Sequence, residues 1–135
     1  MSDTLVQTNL QVPVEEIMNA YFETHDLQYV DEDATFKLVF SGEEHHGREA
    51  VSGLLNYFYK VAFDAYPDKK NVVFGNRQAV AEADFVGKHI GEFAGIPATQ
   101  KEVRVPFIVV YEVGFSTIKE ARIYFPMDVL VKQLM

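Results

Sequence analysis

The second half of the chain is dominated by four consecutive stretches with the composition of extended β-strands. Segments rich in turn residues separate them: Gly75-Asn76, a 91–99 loop with two glycines and a proline, and Gly114. The predicted strands span residues 71–74, 79–90, 102–113 and 117–125. This succession predicts a meander of antiparallel strands, so a sheet must form the greater part of the fold.

A helix, a strand and a loop are predicted at the start of the chain. The helix spans 13–24, where apolar residues recur at helical spacing after Pro13 and two glutamates occupy the first turn. The strand spans 34–40, where phenylalanine and leucine alternate with other residues, and a polar loop spans 42–47.

The second predicted helix carries the longest apolar stripe in the chain. Its apolar residues recur at helical spacing from Val51 to Ala65, and Pro67 closes it. Residues 127–134 are apolar enough for a short closing helix or an extended tail. The order helix, strand, helix and meander predicts the α+β class, with helices packed on one side of a curved antiparallel sheet.

Length and composition restrict the classes of protein. The 135 residues form one domain, 1–135, and 48% apolar against 24% charged residues is the balance of a globular protein. Twelve basic against twenty acidic residues give a net charge of −8, which excludes a basic nucleic-acid surface. The chain has no cysteine, so disulfides, thiolate zinc sites and cysteine nucleophiles are excluded.

The sequence also predicts where the protein is found. No stretch has the roughly 18 apolar residues of a membrane span, and residues 1–10 lack the basic start and apolar run of a signal peptide. We therefore expect a soluble, cytoplasmic protein with no membrane partner.

Alternation along the two longest predicted strands separates their faces. In strand 79–90 the odd positions are apolar, and His89 lies among them. In strand 102–113 the odd positions are apolar throughout, while the even positions are apolar in the middle, at Pro106, Ile108 and Val110. Helices can cover only one face of the meander, so the other face exposes an apolar patch. We expect a homodimer that buries Ile108 and Val110, with Arg104 and Glu102 pairing at the rim.

Several kinds of site are excluded or disfavoured. The chain has no nucleophile elbow, phosphate loop or dinucleotide fingerprint, which excludes covalent and phosphoryl chemistry by those motifs. His45 and His46 lie beside two glutamates, but adjacent positions in a loop rarely converge on one ion and no second cluster completes a ligand set. We therefore interpret 42–47 as a solvated loop and expect neither a metal nor a cofactor.

Four segments carry a resemblance to a known family. They read His89-Ile-Gly-Glu-Phe-Ala-Gly95-Ile-Pro97-Ala-Thr99, Val105-Pro-Phe-Ile-Val-Val-Tyr111, Ala121-Arg-Ile-Tyr-Phe125 and the terminal Lys132-Gln-Leu134. With Asp33-Ala-Thr-Phe36 and His46-Gly-Arg-Glu-Ala50, they resemble the SnoaL-like polyketide cyclases of the nuclear transport factor 2-like superfamily. The resemblance covers about residues 14–134. It implies a cone-shaped, cystatin-like α+β barrel, with helices on the concave side of the sheet and an apolar pocket inside.

The resemblance also implies a chemistry. Such cyclases hold an oxygenated ring precursor in the cavity and move a proton with one acid or base, typically an Asp on the last strand. Here Pro126 stands in that place, and the nearest carboxylate is Asp128. The superfamily also contains isomerases, dehydratases and plain binding modules, so the fold does not select among these functions.

Seven residues are candidates for the site. We predict His89 and Asp128 as acid and base, because the reference pKa of histidine lies near neutral, where an apolar wall would shift it, and an apolar side would raise the pKa of the Asp128 carboxylate. The alternatives are a wall histidine that bonds the backbone and an aspartate that caps the last helix. The predicted substrate-binding residues are Tyr57, Phe85, Phe107, Tyr111 and Tyr124. Tyrosine hydroxyls in the pocket could orient a carbonyl oxygen, and the alternative for each is ordinary packing.

Two hypotheses of function follow. The first is a cofactor-independent enzyme that transfers a proton on a small apolar oxygenated molecule such as a polyketide, as a cyclase, isomerase or dehydratase. The second is a non-catalytic module of the same fold that binds a small ligand or serves for dimerisation. A sizeable cavity with ionisable groups favours the first, and a cavity filled by Phe and Tyr favours the second.

Overall fold

A computed structural model describes residues 11–135 and contains three helices and six strands. The helices are α1 (Val14–Thr24), α2 (Arg48–Asn56) and α3 (Met127–Leu134). The strands are β1 (Val30–Leu38), β2 (Glu43–His46), β3 (Phe63–Gly75), β4 (Gln78–His89), β5 (Glu102–Val113) and β6 (Ile118–Tyr124). A 3₁₀ turn at Leu27–Tyr29 precedes β1, and a π-helical turn at Tyr57–Val61 follows α2. Residues 1–10, where we expect no signal peptide, lie outside the described part.

The six strands form one open, curved sheet in the order β2-β1-β6-β5-β4-β3. The predicted α+β class and the meander of β3 to β6 are confirmed. One pair differs from the prediction of an all-antiparallel sheet, because β1 runs parallel to β6. A parallel pair needs a long connection, and the whole of the chain between β1 and β6 supplies it.

Burial along β4 and β5 follows the predicted alternation. The odd residues of both strands are buried or half-buried and face the helices, whereas the even residues face outward. The register pairs inner residues with inner residues, for example Phe85 with Val105 and Ala81 with Val109. The inner face of the sheet is therefore apolar from one end to the other.

The second helix is shorter than its apolar stripe predicts. The α-helix ends at Asn56, and the chain enters β3 at Phe63 instead of remaining helical to Ala65. Phe63 and Ala65 are buried at a spacing of two and pair with the end of β4, so the pairing of strands overrides the helical pattern. Pro67 lies within β3, which is tolerated because β3 is an edge strand.

The structure also gives the conformation of the 42–47 segment and of the C-terminus. The predicted polar loop at 42–47 contains a short edge strand, β2, whose His45 and His46 pair with Phe36 and Thr35 of β1. Of the two alternatives for the C-terminus, the helix is the one that forms. Within residues 11–135 no helix is long and apolar enough to cross a membrane.

All three helices lie on the inner face of the sheet. The apolar sides of α1 and α2 pack with inner residues of β1, β4, β5 and β6, and α3 packs through Leu130 and Leu134 on inner residues at the other end of β4 and β5. The space between α1, α2 and the sheet is incompletely filled, and this is where the cavity lies.

Candidate functional site

A cavity of about 450 Å³ opens between the helices and the inner face of the sheet. Most of its wall is aromatic or aliphatic. The helices and the π-helical turn contribute Phe22, Leu54, Leu55 and Phe58 to the apolar lining. The strands and the residues that follow them contribute Phe36, Leu38, Phe40, Pro67, Ala81, Ala83, Phe85, Phe107, Val109, Ile123 and Phe125. A surface of this kind binds an apolar molecule by removing it from water.

Four side chains bring polar groups to this apolar wall: Tyr21, His25, Tyr59 and Tyr111. The Tyr21 ring meets the His25 ring edge to face at 5.1 Å between centroids and the Tyr111 ring at 6.0 Å. The Tyr59 ring lies stacked against His25 at 6.0 Å. Among residues 11–135, no group forms a hydrogen bond with these three hydroxyls or with the His25 ring.

Local backbone structure places two of these groups. Helix α1 ends at Thr24, and His25 follows in the left-handed conformation (φ 54°), with its N–H donating to the Tyr21 carbonyl. Histidine is among the residues enriched there, although any side chain makes this conformation costly. At the end of α2, the π-helical turn brings the consecutive residues Phe58 and Tyr59 to the cavity wall. Such turns are frequent at functional sites.

Burial determines the protonation of the four groups. It lowers the pKa of the His25 imidazole, because the charged form loses its hydration. It raises the pKa of the Tyr21, Tyr59 and Tyr111 hydroxyls far above the ordinary value, and repulsion between the phenolates raises those of Tyr21 and Tyr111 further. At neutral pH the cavity therefore contains one neutral imidazole, which is a base, and three protonated hydroxyls, which are donors.

Charged groups are found only among the exposed lining residues. Glu23 of α1 and Lys69 of β3 line the cavity but are exposed, and so is Asn19. The Lys69 ammonium lies 5.0 Å above the centre of the Phe22 ring, a cation–π contact. The inner part of the cavity carries no charged side chain among the residues that line it.

Three of the five predicted substrate-binding residues line the cavity: Phe85, Phe107 and Tyr111. The other two lie elsewhere. Tyr57 is exposed, and its hydroxyl donates to the Glu92 carbonyl at 3.0 Å. Tyr124 pairs with Ile108 on the outer face of the sheet, where its side chain is 45% exposed.

His89 lies outside the cavity, although it is completely buried on the inner face. Its Nδ1 accepts the backbone N–H of Thr99 at 3.1 Å and the Thr99 hydroxyl at 2.9 Å. Because Nδ1 accepts, Nε2 carries the proton, and it finds no partner in the described structure. The geometry favours the alternative of a wall histidine. It bonds a backbone N–H in place of the expected carbonyl and holds the end of the 91–99 loop.

Asp128 also lies away from the cavity. The last strand ends at Tyr124, and α3 begins at Met127, so the Asp128 side chain is exposed in the first helical turn. A carboxylate in that position interacts favourably with the helix dipole. It forms no side-chain cap, because Pro126 occupies the N-cap position. His89 and Asp128 are therefore not brought together.

No set of metal ligands is present in the described chain: among residues 11–135, no three His, Asp or Glu side chains converge. His45 bonds Glu43 within β2, and His46 bonds the Thr35 hydroxyl at 2.9 Å. Both histidines lie on the edge strand β2 rather than in a solvated loop, and each has a side-chain partner.

Sequence reasoning missed His25 and Tyr59. His25 follows Tyr21 by four residues, just as Tyr21 follows Ile17 on the apolar side of α1. Helical spacing therefore indicates that His25 lies on the same side, directly after the helix ends. Tyr59 carries a weaker signal, as one of the aromatic residues that widen the apolar stripe of α2. In a regular helix it lies beside the stripe of α2, and only the π-helical turn brings it into the wall.

An open curved sheet with helices on one side of it and an apolar cavity between defines a pocket-forming α+β protein. The model of the SnoaL-like polyketide cyclase family matches residues 13–134, and the chain belongs to this family. No curated protein matches the chain at a significant level.

Solved structures share this fold at low sequence identity. A candidate SnoaL-like polyketide cyclase from Jannaschia sp. CCS1 superposes with a TM-score of 0.82 at 15% identity, over 93% of both chains. A candidate polyketide cyclase from Xanthomonas campestris gives 0.77 at 18% identity, over 90% of this chain and 96% of that one. IdmH from Streptomyces antibioticus, also a candidate polyketide cyclase, superposes with a TM-score of 0.72 at 19% identity, over 91% of this chain and 99% of IdmH.

Proposed function

We propose that the cavity is the active site of a cofactor-independent enzyme that transfers a proton on a small apolar oxygenated molecule, such as a polyketide. The reaction is a cyclisation, an isomerisation or a dehydration. Because His89 and Asp128 lie outside the cavity, the proposal assigns proton transfer to groups in the cavity wall instead.

The observation that carries the proposal is the group of three phenols and one imidazole, without hydrogen-bond partners among residues 11–135, on the mostly apolar wall of the cavity. A few convergent polar groups in an apolar pocket of roughly 300–1,000 Å³ are typical of small-molecule sites. A hydroxyl that lines an apolar cavity can donate a hydrogen bond to a ligand oxygen, which fixes the orientation of the ligand. The membership in the SnoaL-like family supports the same assignment.

The first experiment tests binding. Protein purified under native conditions is examined by mass spectrometry for small molecules that co-purify with it. Ala83→Leu extends a side chain into the cavity and is expected to remove them, whereas Val80→Leu enlarges a side chain on the outer face of the same strand and retains them. Equal retention by both variants would place the ligand elsewhere.

The second experiment tests proton transfer. The aromatic ketone 2-tetralone is incubated with the protein in D₂O, and exchange of the hydrogens next to the carbonyl is followed by NMR. We expect exchange faster than in buffer with the wild type and slower exchange with Ala83→Leu. Exchange at the buffer rate, together with the absence of a co-purifying molecule, would contradict the proposal.

A second candidate function is a non-catalytic binding module. It is favoured by Pro126, which stands where cyclases of this kind place their acid, and by the absence of a carboxylate from the inner part of the described cavity. A co-purifying molecule without any proton exchange would favour this candidate over the enzyme.

The proposal includes a homodimer formed by the outer face of the sheet. Ile108 and Tyr124 are exposed there, beside the half-buried Val110. Dimerisation would remove this apolar patch from water. Arg104 does not support the predicted pairing with Glu102, because its guanidinium bonds Asp84 at 2.7 Å and Asp68 at 3.1 Å in the same chain.

A further inference from the structure

We infer that His25 is the general base of the cavity and that the Tyr21, Tyr59 and Tyr111 hydroxyls hold the carbonyl oxygen of an uncharged substrate. The inference rests on the proposed function and names the residues and the substrate class of that site.

The position of His25 is determined by the backbone rather than by contacts of the ring nitrogens. His25 directly follows the last residue of α1 in the left-handed conformation, and its backbone N–H donates to the Tyr21 carbonyl oxygen, with 2.6 Å between nitrogen and oxygen. The ring then lies between the Tyr21 ring and the Tyr59 ring. Strained backbone of this kind persists where the surrounding structure holds it, and it concentrates at active sites.

Neither ring nitrogen of His25 is engaged by another group of the described chain, in contrast to His46, which bonds Thr35, and His89, which bonds Thr99. A ring with a free acceptor nitrogen beside an apolar cavity can remove a proton from a bound molecule. The lowered pKa of His25 keeps the ring in the neutral form that this requires.

The surroundings of His25 identify the substrate class. The titratable and charged groups that line the same cavity are Tyr21 and Glu23 of α1, Tyr59 of the π-helical turn, Lys69 of β3 and Tyr111 of β5. Glu23 and Lys69 are exposed, so the wall around the phenols presents hydrogen-bond donors and no counter-ion. An uncharged carbonyl compound fits this wall, because a charged one would lose its hydration without compensation.

The chemical step divides between the base and the donors. His25 takes a proton from the carbon next to the carbonyl group, and the electrons of that C–H bond form a carbon–carbon double bond. The carbonyl π electrons move to oxygen, and the phenols donate hydrogen bonds to the resulting enolate oxygen. The imidazolium then returns its proton in one of three ways. In an isomerisation the proton goes to another carbon of the enolate; in a cyclisation the enolate carbon bonds a second carbonyl carbon, whose π electrons move to oxygen, and the resulting alkoxide takes the proton. In a dehydration the enolate electrons re-form the carbonyl, the C–O bond at the next carbon breaks, and the leaving hydroxide takes the proton and departs as water.

The probe for this inference is 5-nitrobenzisoxazole, an uncharged bicyclic molecule. A base removes its ring C–H proton, the N–O bond breaks, and the coloured 2-cyano-4-nitrophenolate forms. The assay reports a base in an apolar site whether or not the natural substrate is known. We expect elimination by the wild type above the buffer rate.

The decisive variant is His25→Asn, because asparagine also tolerates the left-handed conformation but is not a base. We expect at least a tenfold loss of elimination rate, while His46→Asn on the exposed edge strand retains the rate. A rate unchanged in His25→Asn would overturn the inference.

A measurement on the unmodified chain covers the case in which the variant does not fold. The wild-type elimination rate is expected to fall with decreasing pH, with a midpoint below the ordinary histidine value of about 6.5. Diethyl pyrocarbonate, which acylates neutral imidazole, is expected to remove activity in step with modification of His25, as mapped by mass spectrometry. Activity that persists after complete modification of His25 would overturn the inference.

The inference and the proposed function can fail separately. Elimination that depends on His25, with exchange of 2-tetralone hydrogens at the buffer rate and no co-purifying molecule, would support the base and contradict the proposed function. Exchange that persists in His25→Asn would support the function and contradict the base.

Discussion

Gln133 pairs with Arg104 as a neighbouring β-strand would. The backbone N–H of Arg104 donates to Gln133 Oε1 at 3.0 Å, and Gln133 Nε2 donates to the Arg104 carbonyl at 2.9 Å. Strand β6 ends at Tyr124, where it pairs with Ile108, so the first half of β5 has no strand on that side. A side-chain amide of α3 therefore satisfies backbone groups that the sheet leaves open.

The first prediction concerns this amide. Gln133→Ala removes both hydrogen bonds and is expected to lower the free energy of unfolding by about 0.5–1.5 kcal/mol, because water replaces the amide at these exposed groups of the Arg104 backbone. The exposed neighbour Lys132→Ala is the control and is expected to change stability by less than about 0.5 kcal/mol. Urea unfolding measures both. A Gln133→Ala midpoint equal to that of the control would contradict the role of the amide.

The second prediction separates the structural role of His89 from catalysis. Thr99→Val removes the hydroxyl bonded to His89 Nδ1 and is expected to cost about 1–2 kcal/mol of stability, whereas Thr99→Ser retains the bond and most of the stability. Both variants are expected to eliminate 5-nitrobenzisoxazole at the wild-type rate when folded. A large loss of elimination rate in folded Thr99→Val would indicate that His89 takes part in catalysis.

The third prediction concerns the dependence of stability on pH. The pKa of Asp31 is lowered to about 2, chiefly because its carboxylate accepts the Asp33 backbone N–H and also bonds Lys119 and Thr117. A lowered pKa stabilises the fold above the unfolded value of about 3.9, and this stabilisation disappears as the pH falls toward 2.

Asp31→Asn is therefore expected to cost about 1 kcal/mol at neutral pH, where water screens the partly exposed pair. The difference in free energy of unfolding between Asp31→Asn and the wild type should decrease as the pH falls from about 4 to about 2. Urea unfolding across this range measures it, with the exposed Asp33→Asn as the matched control. A difference that does not change with pH would show that the Asp31 charge is not responsible.

The fourth prediction compares two glycines. A Cβ on Gly87 would lie 2.4 Å from the Asp64 carbonyl and from the Ala65 side chain, where β3 and β4 pair. Gly87→Ala is expected to destabilise the protein by about 1–3 kcal/mol. Gly53 lies in α2 with open space around it, and Gly53→Ala is expected to stabilise by about 0.5–1 kcal/mol. Thermal unfolding of the two variants should show shifts of opposite sign.

The fifth prediction concerns assembly. Ile108→Asp places a charge in the middle of the outer face and is expected to give monomers, because a buried unpaired charge opposes association. Ile90 has the same exposure, 39%, but lies after the end of β4, and Ile90→Asp is expected to leave the dimer intact. Sedimentation at micromolar concentration distinguishes them. A wild type that sediments as a monomer would contradict the dimer.

The sequence predicts the meander well because its strands pair with their neighbours in the chain. Alternation alone therefore identifies Phe85, Phe107 and Tyr111 as inner residues, and all three line the cavity. Prediction from spacing along the sequence fails where pairing with another strand determines the local structure. Phe63 and Ala65 fit a helical stripe, but the end of β4 draws them into a strand.

The polar part of the site could be predicted least. His25 reaches the cavity through a left-handed residue, and Tyr59 through a π-helical turn. Both are local departures from a regular helix, so helical spacing indicates the side of the helix but not that either side chain reaches the cavity. His89 fits the apolar face as predicted, but alternation gives its side of the sheet and not its distance along the strand from the cavity.

The parallel pairing of β1 with β6 has a consequence for the order of folding. Phe36 aligns with Ala121, so the segment that carries β1, β2 and α2 joins the sheet only through a strand near the C-terminus. The meander can form early from contacts between neighbours in the chain, whereas closure of this long loop costs entropy and comes late. The walls of the cavity are therefore completed last, and a nascent chain that ends before Ile118 has no cavity.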